Sequence, residues 1–320
     1  MLRRFTILGL GLVLLAGCGT EGVREIPAGP GETSPAAAEI TTAEARAAFD
    51  GLGDLAGAWR DQDCAKIEHL TTGVESTVGS RVCPAAREGL DAPGLPAYSD
   101  PEFLLPARQD GDGDAWFAVL ARKPKPAYLV FVRVEGSWRL AAGPIPVVGK
   151  MPDVEGEVID AAAEPEATVG ASLAPTRHVA FLTDPTAVNG TGISGVRFAS
   201  GDPMRDLLAE LVRAPGRARP DHLSTDVSIE GPARALALPG GGSLVFHALR
   251  VVFTQKPRSG RSSLAHPRYR AAEVRAFTGG TPESFTGSEI VVLATKVAKD
   301  DTMTTVGLRR MLADVTEGSG

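Results

Sequence analysis

The sequence predicts an α+β protein of two tandem domains, each with helices packed on an antiparallel sheet, behind an export signal and a flexible tether. Three observations carry this reading. A helical apolar stripe opens each half of the chain. A series of alternating strands follows each stripe, and a polar, acidic stretch over residues 149–174 separates the halves as a linker. A chain of 320 residues is long for one core and sufficient for two domains of ordinary size.

The first domain is expected over residues 41–148. Thr41-Thr42-Ala43-Glu44 has the pattern of a helix N-cap with an acid in the first turn, and Phe49, Leu52, Leu55 and Trp59 follow at helical spacing. A second short helix is expected to hold Cys64, Ile67 and Leu70. The segment TTGVESTVGSRVCPAAREG then reads as a loop carrying Cys83. Glu102–Arg108 reads as extended, DGDGD at 110–114 as a turn, and Trp116–Arg122 as a strand. KPKP at 123–126 is a stiff turn without proline donors, and Tyr128–Val134 and Trp138–Ala142 pair across Glu135-Gly136-Ser137.

The second domain is expected over residues 175–316. Arg177–Thr183 begins a helix. Asp202 is an N-cap with Pro203 at the first helical position, and Met204, Leu207, Leu208, Leu211 and Val212 form the apolar face. Strands are expected over Leu223–Ile229, Ala233–Leu238, Leu244–Gln255, Ala271–Phe277, Ile290–Ala298 and Met303–Val315. The glycines after Pro239 and KDD at 299–301 are the turns.

Residues 1–17 read as a signal peptide. Arg3 and Arg4 precede an uncharged run from Phe5 to Gly17, which falls short of the roughly 20 residues a membrane span needs. Leu15-Ala16-Gly17-Cys18 resembles the lipobox of bacterial lipoproteins. The resemblance implies cleavage before Cys18 and a diacylglyceryl group on its sulfur, the two-chain anchor that stable membrane attachment requires. Residues 18–40 carry that lipid on a polar, Gly- and Pro-rich tether with a reach on the order of 25 Å. The expected location is the outer face of the cytoplasmic membrane.

A net charge of −6 argues against a nucleic-acid partner, which favours a basic face. Cys64 and Cys83 are the even pair left outside the cytoplasm, and they read as a disulfide. Chemistry is otherwise sparse. No G-x-S-x-G elbow, S-x-x-K or H-E-x-x-H is present. GPIPVVGKM at 143–151 has the wrong spacing for a P-loop and Met151 where Ser or Thr would hold magnesium. DGDGD has Ala115 and Ala121 where a calcium loop needs Gly and Glu. The five histidines share no ligand spacing, so neither metal nor cofactor is expected.

Two clusters stand out. His247, in the apolar strand LVFHALRVVF, is a candidate pocket residue with Asp226 or Glu230 as an acid–base partner. Lys256, Arg258, Arg261, Arg268 and Arg270 lie in one acid-free loop and form a candidate contact for an anionic surface such as a membrane or wall polymer.

The segments AWFAVLARKPKPAYLVFVRVEGSWRLAAGPIPV (115–147) and GGGSLVFHALRVVFT (240–254) resemble those of a family of uncharacterised actinobacterial lipoproteins. The layout resembles two NTF2-like (cystatin-related) domains, in which a strongly bent sheet cradles a helix. The resemblance implies a location and a fold and brings no catalytic motif. The expectation is therefore a non-catalytic binding or scaffolding module of the cell envelope, whose partner is an envelope protein or a small apolar ligand. The alternative is an NTF2-like enzyme of the isomerase or dehydratase type, or an apolar-ligand binder, using a pocket in the second sheet.

Overall fold

The structure is a computed structural model that describes residues 40–106, 114–150, 165–184, 186, 195–212, 221–239 and 241–318. Cys18, the tether before Ile40, and all of the DGDGD turn except Asp114 lie outside these residues. The described residues belong to one compact unit.

The first half begins as its capping pattern dictates. The Thr41 hydroxyl accepts from the Glu44 N–H, and the Glu44 carboxylate accepts from the Thr41 N–H, so both orphan donors at the start of α1 (Thr42–Asp50) are satisfied. Gly51 separates α1 from α2 (Leu52–Arg60), and α3 (Cys64–Leu70) follows with Asp63 as its N-cap. The segment read as a loop around Cys83 is instead a helix, α4 (Gly73–Arg87). Its Gly, Ser and Thr content is poor for a helix in isolation. Val74, Val78, Val82 and Ala86 nevertheless recur every four residues and are buried, so packing outweighs propensity. The Cys64–Cys83 disulfide joins the start of α3 to α4, with the Cα atoms 5.6 Å apart.

The strands β1 (Ser99–Leu104), β2 (Trp116–Lys123), β3 (Ala127–Val134) and β4 (Ser137–Pro146) form an antiparallel meander in that order. The second half repeats the plan. Helices α5 (Pro165–Leu182) and α6 (Pro203–Val212) precede a meander of β5 (Asp221–Ala237), β6 (Ser243–Pro257), β7 (Phe285–Val297) and β8 (Met303–Glu317). Asp202 caps α6 through the Met204 N–H, as its sequence predicts.

Three second-half expectations are corrected. Ala271–Thr278 is a helix, α7, placed between β6 and β7 and closed by Gly279 in the left-handed region. The two strands expected over 223–238 are one strand, β5, with a register shift between Glu230 and Arg234. The stretch read as linker becomes helical at Pro165, and its residues 151–164 lie outside the described ones.

Side-chain alternation stacks these elements in four layers. Phe117 and Phe131 stack at 5.0 Å on the face of the first sheet that Phe103 shares, and Phe103 meets Phe49 of α1. On the opposite face, Trp116 and Tyr128 meet Phe246 of β6 edge-on, at 6.5 and 5.5 Å. The next layer is therefore the second sheet, whose Leu244, Phe246, Ala248 and Val292 share a core with the first. Its other face, with Val245, Leu249, Val251 and Leu293, packs on α5 and α6. The end of β4 is tied to β8 by the Val148 N–H donating to the Val306 carbonyl at 2.9 Å.

Candidate functional site

Where β4 leaves β8, a cleft of about 460 Å³ opens between the two halves. Helix α2 contributes Leu55 and Trp59, α4 contributes Val78 and Val82, and the Pro- and Gly-rich segment before β1 contributes Leu95 and Tyr98. Leu140 and Pro144 of β4 and Met311 of β8 complete a mainly apolar wall, with Arg270 and Glu273 of α7 alongside. The volume falls within the range of clefts that hold small molecules.

A salt bridge between the halves lies in this wall. Arg309 of β8 and Glu75 of α4 form a two-point pair, Nη1 to Oε1 at 2.8 Å and Nη2 to Oε2 at 3.0 Å. Glu75 Oε1 also accepts the Gly143 N–H at 3.0 Å, while Arg309 Nη1 donates to the Gly143 carbonyl. Gly143 has φ of 130°, and a Cβ there would come within 2.9 Å of the Tyr128 carbonyl oxygen, so this backbone approach requires glycine. Burial pushes the Tyr98 phenol pKa up, opposed by the nearby Arg309 charge, so Tyr98 is a neutral hydroxyl at ordinary pH. Among the described residues the lining holds no Ser, Thr, Cys, His or Lys side chain.

His247 is 4 % exposed and does not meet the acids expected beside it. Asp226 pairs with Val252 and Glu230 with Ala248 across β5 and β6. Both therefore share the even-numbered face of β6, and His247 is on the odd one. Glu230 is committed to Arg250 instead, at 2.8 Å. The neighbour of His247 is His178 of α5, with ring centroids 4.7 Å apart.

The basic loop is also divided. The Arg268 guanidinium lies 3.4 Å from the Phe253 ring centroid and bridges Glu210 and Glu289 at 2.7 and 2.9 Å, so it faces inward. Arg270, at the N-cap of α7, pairs with Glu273 of the helix's first turn. Lys256, Arg258 and Arg261 remain on the surface. The sequence offered no signal for the acids that neutralise Arg268, since Glu210 and Glu289 are distant in the chain.

Among the described residues no cluster of three or more His, Cys, Asp or Glu side chains is placed to hold a metal ion. No described helix is long and apolar enough to cross a membrane. No protein-family model, curated protein or solved structure matches the chain.

Proposed function

We propose that this chain is an exported lipoprotein, held at the outer face of the cytoplasmic membrane by a diacylglyceryl group on Cys18. Its folded part is a non-catalytic binding module, and the cleft between α4, β4 and β8 is its ligand site. The carrying observation is the cleft itself, a mainly apolar hollow of about 460 Å³ whose most buried wall charges, Glu75 and Arg309, are held by one another. The Cys64–Cys83 disulfide supports export, because such bonds persist outside reducing compartments. Helices followed by an antiparallel meander, twice over, support kinship with NTF2-like domains.

Intact-mass analysis of the full chain extracted from bacterial membranes tests the anchor. The expected species starts at Cys18 and carries acyl chains, and Cys18→Ser leaves the membrane fraction or stays unprocessed. A mature terminus elsewhere, or a chain without lipid, overturns the location. Affinity capture of the anchored protein, with lipid extraction of the eluate, tests the binding role. Recovery of neither an envelope protein nor a small molecule counts against it.

A further inference from the structure

The wall charges constrain what the cleft accepts. Arg309 is matched by Glu75 at two points, and both side chains are nearly buried, with 12 % and 7 % exposure. Arg270, 71 % exposed at the rim, is paired with Glu273 at 2.9 Å and also feels the Asp91 carboxylate that lines the cleft. An ionised ligand would surrender its hydration and find each cation already holding a carboxylate, an uncompensated cost. A fatty carboxylate aimed at Arg309 would also face the Glu75 carboxylate. The half-buried Tyr98 offers something different. Its hydroxyl is neutral, lines the cleft and has no hydrogen-bond partner among the described residues. Leu55, Val78, Val82, Leu95 and Leu140 supply the apolar surface, and Met311 supplies a side chain that adapts to an irregular chain.

We propose that the cleft binds a neutral lipid, a hydrocarbon chain ending in an uncharged oxygen-bearing head, with the Tyr98 hydroxyl donating to a head-group oxygen and the Glu75–Arg309 pair excluding anionic lipids. This rests on the binding-module reading above and names the class of ligand. Glu75 acts in this arrangement as a specificity determinant: by neutralising Arg309 it keeps the site from selecting fatty anions.

Native mass spectrometry of the full chain, offered equal concentrations of monoolein and oleate at pH 8, tests the proposal. Monoolein adducts are expected to exceed oleate adducts by about tenfold. Tyr98→Phe should weaken monoolein about three- to tenfold, the loss of one neutral hydrogen bond, with the fold intact. Met311→Trp should abolish both adducts by filling the cleft. Glu75→Gln exposes the Arg309 charge and should reverse the preference toward oleate. If Glu75→Gln unfolds by circular dichroism, the wild-type preference and Tyr98→Phe decide the matter, since neither leaves a charge unpaired. Oleate binding as well as monoolein in the wild type overturns the lipid class and leaves the binding reading standing. Absence of both adducts removes the binding site itself.

Discussion

His178 of α5 and His247 of β6 face one another with ring centroids 4.7 Å apart in the apolar layer between the helix and the second sheet. His178 Nδ1 lies 2.9 Å from the Ala174 carbonyl. His178 Nε2, both His247 nitrogens and Thr295 Oγ1 have no hydrogen-bond partner among the described residues. Two imidazoles in contact in a dry layer are compatible only as neutral rings.

Acid should therefore loosen the attachment of α5. Burial lowers the His178 pKa to about 4, against a weak opposing pull from the Ala174 carbonyl and Asp202. Burial lowers His247 well below its ordinary value and His178 adds to that shift, against a smaller opposing pull from the Val245 backbone, which makes no well-formed hydrogen bond to the ring. Both folded-state values lie below the unfolded value near 6.5, so the unfolded chain takes up protons first as pH falls. The stability is complete above about pH 6.5 and is lost progressively down to about pH 4, with His178 alone contributing roughly 3 kcal/mol of that loss. Urea midpoints measured between pH 7.5 and 4.5 should fall steeply, and replacing both rings, His178→Leu with His247→Leu, should flatten the slope. An unchanged slope in that variant would show that the titration lies elsewhere.

The Cys64–Cys83 bond should carry a similar share of stability at neutral pH. It closes a loop of 19 positions, for which chain entropy gives roughly 3 kcal/mol. Reductant, or the double change Cys64→Ala and Cys83→Ala, should lower the denaturant midpoint by a corresponding amount without altering the m-value greatly. A midpoint indifferent to reductant would mean that packing of α3 on α4 suffices alone.

The two acids that hold Arg268 and Arg310, Glu289 of β7 and Glu210 of α6, should rank by exposure. Glu289 is 8 % exposed and neutralises both Arg268 and Arg310, and its oxygen also receives the Tyr269 hydroxyl at 3.1 Å. Glu210 bridges the same two arginines, and those hydrogen bonds hold its carboxyl down to about 2, but its side chain is 40 % exposed. Glu289→Ala leaves Arg268 and Arg310 to share Glu210 alone and takes the acceptor from the buried Tyr269 hydroxyl, so it should cost about 2–3 kcal/mol. Glu210→Ala leaves them solvent access and should cost about 1 kcal/mol or less. Chemical denaturation of the two variants checks the order, and equal costs would contradict it.

Local signals were legible where residue type and backbone need coincide. The KPKP and Glu135-Gly136-Ser137 turns, the Thr41 and Asp202 caps and the existence of strands β2, β3 and β6 are legible in the sequence. Helix α4 was hidden by Gly73, Gly79 and Pro84, yet Gly79 is where Ile67 packs, since a Cβ there would lie 2.9 Å from its Cγ2. Helix α7 is hidden by its brevity and by Arg270 at its N-cap, which lacks the side-chain acceptor that marks a start, although the Gly279-Gly280 pair marks its end. The cleft joins residues from Leu55 to Leu312, and the pairing of Glu75 with Arg309 spans 234 positions. No local pattern encodes such a meeting. The parity that separates His247 from Asp226 and Glu230 depends on strand register, which sequence alone leaves open.

Two glycines should respond oppositely to the same change. Gly287 of β7 lies under the Tyr269 ring, and a Cβ there would come within 2.0 Å of Tyr269 Cε2. Tyr269 is 7 % exposed, packs on Phe285 at 5.5 Å and reaches Glu289 through its hydroxyl, so it has little room to withdraw. Gly287→Ala should therefore cost about 1–3 kcal/mol through overpacking, with loss of the Tyr269–Glu289 bond. Gly57 lies within α2, and nothing beyond its own helix backbone comes within 4 Å of an added Cβ. Gly57→Ala removes only the entropic penalty of glycine in a helix and should stabilise by about 0.5–1 kcal/mol. Thermal melts of the two variants should move in opposite directions from the parent. A Gly287→Ala protein melting with the parent would mean that Tyr269 does not hold the position from which it reaches Glu289.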